Sequence, residues 1–87
     1  MRKRFVKALV QDGCTESYAK RIARFVRKYK GDFAGAYKNR NIVLFLYADR
    51  ELDRRHGIVW TREFTEQKVK VACSNLTYRE MMETEWR

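Results

Sequence analysis

The sequence predicts a small, mostly α-helical bundle that forms one domain over residues 1–87. Two observations favour helices. Proline is absent and glycine occurs only four times, and Lys, Arg, Glu and Ala, which have high helix propensity, are abundant. Hydrophobic residues make up 45% of the chain and aromatic residues 14%, which is enough apolar surface for a folded core and excludes a disordered chain.

The first forty residues predict two amphipathic helices separated by a short turn. The first helix is expected from about Lys3 to Asp12 and ends at Gly13 in the left-handed conformation; its inner side is formed by Phe5, Val6, Leu9 and Val10. Thr15 is the expected N-cap of the second helix, which runs from Glu16 to about Lys30 and stops at Gly31. Residues 32–40 are expected to form a short helix or a turn.

Residues 41–74 fit either of two states. A third helix, capped by Asn41 and ending before Gly57, is favoured because the segment after the apolar run 42–48 is rich in helix formers. A further helix over residues 58–74 is also favoured, with Phe64, Ala72 and Leu76 inward and Glu66 paired with both Arg62 and Lys70 outside. The alternative is an α+β fold with a short antiparallel sheet formed by residues 42–48, 58–64 and 68–74.

The last segment predicts a short helix in which Thr77 and Glu80 form a capping box. Six aromatic residues are expected in the core: Phe5, Phe25, Phe33, Phe45, Trp60 and Phe64. Five further aromatic residues are candidates for stacking on bases or for filling a partner's pocket, although packing is the commoner role of each: Tyr29, Tyr37, Tyr47, Tyr78 and Trp86.

The positive charge is concentrated in the first half of the chain. Residues 1–40 carry 12 Lys or Arg and three acids, a net charge of 12 − 3 = +9, whereas residues 41–87 carry eight of each sign, a net charge of zero. The entire net charge of +9 therefore lies in the N-terminal half. Such asymmetry indicates a polyanionic partner, most commonly nucleic acid, with an anionic membrane or an acidic protein surface as the next choices.

On a helical wheel the second helix separates into an apolar side and a basic side. The basic side spans an arc of about 120° and carries no acid at the neighbouring i+3 and i+4 positions; it consists of Lys20, Arg21, Arg24, Arg27 and Lys28. Only Glu16 reaches this set, at Lys20. A passive solvated face normally mixes the two signs of charge, so these five residues are the first candidates for contacts with phosphates.

Two further groups of cations are candidates for the same surface. Arg2, Lys3 and Arg4 are expected to form a basic N-terminal arm that follows a phosphate backbone or enters a minor groove, the alternative being a frayed, solvated terminus. A second group extends the surface only if the loop after the second helix brings it there: Lys30, Lys38 and Arg40.

Residues 5–29, FVKALVQDGCTESYAKRIARFVRKY, resemble the first two helices of the SAM-like core-binding domain of phage integrases and other tyrosine recombinases. The shared pattern is an apolar helix, a glycine, a Ser/Thr cap and a second amphipathic helix. It implies a helical domain that clasps DNA, with Lys20, Arg21 and Arg24 facing phosphates. The resemblance covers 25 of the 87 residues. The recombinase catalytic domain and its Arg/His/Tyr set have no counterpart, so strand exchange is not implied.

Little in the sequence predicts catalysis. His56 is the only histidine, which excludes a site built from several histidines within one chain. On one helix, Asp49, Asp53 and His56 share a face, a pattern that fits a divalent metal but is more typical of a salt-bridged surface. We expect no enzyme activity, no cofactor and no metal; a metal-dependent nuclease built on Asp49, Asp53 and Glu66 is the third alternative.

Two features indicate the cell compartment. Cys14 and Cys73 form no CxxC pair, and Lys7 interrupts the first apolar stretch before a secretory signal core is formed. The longest apolar run, 42–48, is too short to cross a bilayer. We therefore expect a cytoplasmic protein with reduced thiols and no membrane association.

Together these features predict a small basic protein that binds nucleic acid, DNA rather than RNA, through phosphates and without catalysis. Small basic chains of this kind are typical of phages and mobile elements. The alternative is a phage-type inhibitor or interaction protein that targets a nucleic-acid-handling host enzyme. The sequence leaves open whether the target is single- or double-stranded and what the oligomeric state is.

Overall fold

The structure is a computed structural model that describes residues 1–74. Over these residues the chain forms five helices and no strand, so the predicted helical bundle is confirmed and the α+β alternative is excluded. The helices are α1 (Arg2–Gln11), α2 (Glu16–Lys28), α3 (Phe33–Lys38), α4 (Arg40–Arg55) and α5 (Arg62–Ala72). Helix α2 contacts α1, α3 and α4, and α5 packs against α4.

The turn between α1 and α2 follows from Gly13 and Thr15. Gly13 has a φ of +112°, as predicted for the left-handed residue after a helix. The Cys14 N–H donates to the Leu9 carbonyl at 3.0 Å, which satisfies a carbonyl at the end of α1. The Thr15 hydroxyl accepts a hydrogen bond from the Tyr18 N–H at 3.1 Å, which confirms Thr15 as the N-cap of α2.

The end of α2 differs from the prediction. Lys30, and not Gly31, takes the left-handed conformation, with a φ of 61°. The Gly31 N–H donates to the Val26 carbonyl at 2.7 Å. A β-carbon on Gly31 would lie 2.7 Å from methyl groups of Val26 and Val69. Gly31 therefore serves close packing of α5 on the end of α2, and the neighbouring lysine has to accept the strained backbone conformation.

The starts of α3 and α4 were only partly predicted from the sequence. The Asp32 carboxylate accepts hydrogen bonds from the Ala34 and Gly35 N–H groups and begins α3. Helix α4 begins at Arg40 after Asn39, so the prediction that Asn41 is its cap was wrong. The Asn39 side chain is buried and donates to the Ser74 carbonyl at 2.6 Å instead of capping a helix.

The predicted helices over the middle and end of the described region are present. Arg54 and Arg55 occupy the last turn of α4, and Gly57 follows with a φ of +80°. The Thr61 hydroxyl accepts from the Phe64 N–H at 3.2 Å and caps α5. Helix α5 includes residues that the α+β alternative assigned to two strands, 58–64 and 68–74.

The core lies where α1, α2, α4 and α5 meet. Its largest fully buried side chains are Phe5, Leu9, Ile22, Val26, Val43, Val69 and Thr65. Each large apolar side chain of this set contributes roughly 1.5–3 kcal/mol by leaving water. The Thr65 hydroxyl donates to the Thr61 carbonyl at 2.7 Å, so its burial leaves no polar atom unsatisfied.

Three apolar residues that were predicted to face inward are exposed. Phe45 is 67% exposed, Phe64 43% and Val10 40%. Phe64 packs against Trp60, with ring centroids 5.1 Å apart, on the outside of the bundle. The inward placement of Ala72 is confirmed. Of the tyrosines considered for stacking, Tyr29 and Tyr47 are buried in the core and Tyr37 is half-buried.

The predictions for Leu76, for the helix beginning at Thr77 and for Tyr78 and Trp86 concern residues outside the described range.

Within residues 1–74, no helix combines the length and the apolar character that crossing a bilayer requires.

Candidate nucleic-acid interface

Helix α2 separates its apolar and basic residues as the wheel predicts. Its buried side comprises Ala19, Ile22, Ala23, Phe25 and Val26. On the other side every one of the five candidate cations is exposed: Lys20, Arg21, Arg24, Arg27 and Lys28. Because the buried row fixes the rotation of the helix against α1, α3 and α4, the basic row has to face solvent.

Three of these cations have no carboxylate partner in the described part of the chain. Lys20 lies 3.2 Å from the Glu16 carboxylate, but none of Arg21, Arg24 and Arg27 lies within 4.0 Å of an acid among residues 1–74. The Lys28 ammonium lies 5.6 Å from the centre of the Tyr29 ring. The middle of α2 therefore carries positive charge that its described neighbours leave uncompensated.

Two carboxylates of the described chain pair with cations outside the basic side of α2. Glu66 contacts Arg62 at 3.1 Å, as predicted, and lies 4.0 Å from Lys30, whereas the predicted pair with Lys70 is not formed within residues 1–74. Asp12 accepts a hydrogen bond from Arg40, and this bond raises the pKa of the Arg40 guanidinium. Arg40 is thus held by Asp12 and does not extend the uncompensated surface. Lys30 is only weakly paired, and Lys38 is exposed.

The N-terminal cations belong to the first turn of α1 and do not form an arm; that Arg2, Lys3 and Arg4 contact nucleic acid stays a prediction. Helix α1 begins at Arg2, and the Phe5 N–H donates to the Met1 carbonyl at 3.0 Å. Burial of Phe5 anchors this first turn in the core. The Arg4 guanidinium lies 4.6 Å from the centre of the Tyr37 ring, which takes Arg4 toward α3.

A groove between α1 and α2 brings Arg2 and Lys3 of α1 together with Lys20, the first cation on the basic side of α2. It has a volume of about 460 Å³ and is lined by Arg2, Lys3, Val6, Lys7, Val10, Glu16 and Lys20. The sequence did not single out Lys7 as a site residue. Its position four residues after Lys3 on the same helix was the available signal, because residues so spaced share a face.

The acidic residues considered for metal binding do not assemble into a site. The Asp53 carboxylate accepts a hydrogen bond from the Trp60 indole at 2.7 Å. No group of three or more potential ligands that could hold a metal ion occurs over residues 1–74. The face shared by Asp49, Asp53 and His56 is therefore not a metal site in the described part of the chain.

The two cysteines are free thiols in different environments. Cys73 is 4% exposed, and burial raises the pKa of its thiol to about 12. Cys14 is half-buried at the turn between α1 and α2. A buried thiol with so high a pKa is a poor nucleophile, so Cys73 acts as a small apolar core residue.

No protein-family model matches this chain, and neither a curated protein nor a solved structure matches it. The resemblance of residues 5–29 to recombinase core-binding domains therefore stays a prediction.

Proposed function

We propose that this chain is a non-enzymatic nucleic-acid-binding protein that contacts phosphates through the basic side of α2. The observation that carries the proposal is the row Arg21, Arg24 and Arg27, which is exposed and has no acid within 4.0 Å among the described residues. Guanidinium groups present several donors in a planar fork that matches phosphate oxygens. DNA is the proposed target in preference to RNA.

The repulsion among the cations of α2 also favours a polyanionic partner. Arg24 lies three residues from Arg21 and from Arg27, and four from Lys20 and Lys28. Like charges at these spacings destabilise a helix by roughly 0.2–0.5 kcal/mol per pair. A bound phosphate backbone would remove this repulsion, whereas a merely solvated face could avoid it by alternating the signs of charge.

Phosphate contacts of this kind give affinity without base readout. The described basic residues offer about five contacts on α2, for which log K against log salt concentration has a slope of roughly −4 to −5 on duplex DNA. Such binding is strong at low salt and weak at high salt.

The test is a fluorescence anisotropy titration with labelled DNA and RNA, each single- and double-stranded, over a series of salt concentrations. The proposal requires binding at low salt, and the logarithm of the binding constant must fall linearly with the logarithm of salt concentration. A chain that binds none of these molecules at low salt, while its circular dichroism shows intact helices, would contradict it.

A second candidate function is an inhibitor or interaction protein that targets a nucleic-acid-handling enzyme. It is favoured by apolar residues that stand on the outer side of α4, where Phe45 is 67% and Leu52 54% exposed. Exposed apolar side chains that lie together are typical of protein contact sites. Because 45 and 52 are seven residues apart, they share one face of the helix.

The two functions separate in a pull-down experiment. An interaction protein is retained by a purified polymerase or nuclease in the presence of excess competitor DNA, and the variant Phe45→Ser is not retained. A protein that reaches such enzymes only through shared nucleic acid loses them when nuclease is added.

A further inference from the structure

We infer that the interface extends across the groove to α1 and is built for duplex DNA, with one helix on each strand. The inference rests on the proposed function and names the form of nucleic acid that the surface fits. It starts from the groove in which three cations of α1 lie opposite Lys20, the first cation on the basic side of α2.

The cations of this surface form two rows on neighbouring helices. The row on α1 consists of Arg2, Lys3 and Lys7, all exposed and all lining the groove. The row on α2 starts at Lys20, which lines the opposite wall, and continues through Arg21, Arg24, Arg27 and Lys28. The two rows together hold eight basic side chains, offset by the single acid Glu16 at one end of the groove.

The spacing of the rows fits the two strands of a duplex. Helices in contact lie about 8–10 Å apart, and the grooves of B-DNA that separate its two phosphate rows are about 6 and 12 Å wide. Lysine and arginine side chains are long enough to adjust this distance. A single strand has one row of phosphates and therefore cannot satisfy both helices at the same time.

The number of charges agrees with the same conclusion. Lys20 and Lys28 are eight residues apart, which is about 12 Å along the helix. Each strand of a duplex carries one phosphate per about 3.4 Å of its axis. Roughly 3–4 phosphates of one strand therefore face this length of protein. This is about half the number of phosphates that eight cations can neutralise. The second strand supplies the remainder.

The side chains between the rows suit the surface of a duplex groove. Val6 and Val10 line the space between the cations, and Val10 is 40% exposed. They offer apolar contact to the sugar edges without competing for phosphate. This explains why Val10 is tolerated on the outside of α1.

The experiment compares the salt dependence of binding to duplex DNA with that to a single strand of the same length. With both rows engaged, the slope of log K against log salt is expected near −5 to −7 on the duplex and near −2 to −3 on the single strand. Lys7→Gln is expected to reduce the duplex slope by about 0.9 and to leave the single-strand slope unchanged. Arg24→Gln reduces both slopes.

Lys70→Gln is the matched control, because Lys70 is an exposed lysine on α5 outside the groove, and it should change neither slope. A duplex slope that exceeds the single-strand slope only in the ratio of about 0.9 to 0.7 expected for equal numbers of contacts, or a duplex slope that Lys7→Gln leaves unchanged, would overturn the inference while leaving phosphate binding by α2 intact. Binding to neither form would instead refute the proposed function itself.

Discussion

The backbone carbonyl of Cys73 lies directly against the α-carbon of Gly35. A β-carbon added to Gly35 would come within 1.5 Å of the Cys73 oxygen. This contact joins α3 to the end of α5, and the nearby hydrogen bond from Asn39 to the Ser74 carbonyl strengthens the junction. The second half of the described chain is thereby fixed to the half that carries the basic surface.

Gly35→Ala is expected to lower the free energy of unfolding by about 2–3 kcal/mol, because the new methyl group overlaps backbone atoms that cannot move aside locally. In an unobstructed helix the same change would stabilise the protein by about 1 kcal/mol. Urea denaturation followed by circular dichroism measures the difference. Ala34→Gly, at the exposed neighbouring position, is the control and should cost about 1 kcal/mol. A Gly35→Ala protein more stable than the wild type would disprove the contact.

Lys30→Gly is expected to stabilise the protein by about 0.5–1 kcal/mol. Lys30 has a φ of 61°, a conformation that glycine adopts without steric cost. The lost ion pair with Glu66 is long, at 4.0 Å, and involves an exposed lysine, so it contributes little. Thermal denaturation of Lys30→Gly beside Lys70→Gly tests this expectation. Lys70→Gly lies inside α5 and should destabilise the protein by about 1 kcal/mol. Equal losses of stability in the two variants would contradict the assignment of strain to Lys30.

The Cys73 thiol is expected to react only when the fold opens. Because the pKa of this thiol is raised to about 12, a far smaller fraction of it is ionised at pH 8 than of an ordinary exposed thiol. In the variant Cys14→Ser, labelling with a thiol reagent at pH 8 should therefore be slow until denaturant is added. Rapid labelling of the folded variant would be inconsistent with a buried Cys73.

The same shift has a consequence for stability at high pH. The folded state retains the Cys73 proton above the pKa of the unfolded thiol, near 9, so the unfolded state binds fewer protons between about pH 9 and 12. The free energy of unfolding should fall with rising pH over that window, and Cys73→Ala should reduce the slope of the fall. The wild type and Cys73→Ala would show parallel pH profiles if the thiol were not responsible.

Phe45→Ser should change stability by no more than about 0.5 kcal/mol, since the side chain is 67% exposed. Val43→Ala, two residues earlier in the same helix and 1% exposed, should cost about 2 kcal/mol. Guanidinium denaturation of the two variants checks the ranking. If Phe45→Ser were the more damaging change, α4 would have to be rotated from the position described.

The sequence predicted best the elements whose ends carry their own chemistry. Thr15 and Gly13 set the bounds of α1 and α2 through local hydrogen bonds and backbone geometry, so no distant contact was needed to foresee them. The residues of α4 were harder. Its run of apolar residues at 42–48 leaves no polar side to mark the solvent, and only packing against α2 and α5 decides that Val43 is buried and Phe45 exposed.

Some residues of the basic surface could likewise be identified from local sequence, and others only from the packed structure. The five cations of α2 could be identified from their spacing alone, because the opposite side of the helix is apolar. Lys7 was harder to identify: its spacing places it on one face of α1 with Lys3, but the groove that both line exists only once α1 and α2 are packed. The pairing of Arg40 with Asp12 likewise joins residues 28 positions apart, a distance over which charge patterns carry no information.

The most direct test of the central claim is the binding of duplex DNA by the double variant Arg24→Glu, Arg27→Glu. Its control is Arg54→Glu, Arg55→Glu at the end of α4; each pair of substitutions lowers the net charge from +9 by four, to +5. Because two phosphate contacts are lost, the first variant should show weaker binding and a salt slope shallower by about 2. The control should retain the wild-type slope. Undiminished binding by a folded Arg24→Glu, Arg27→Glu protein, or equal losses in the two variants, would contradict the assignment of the interface to α2.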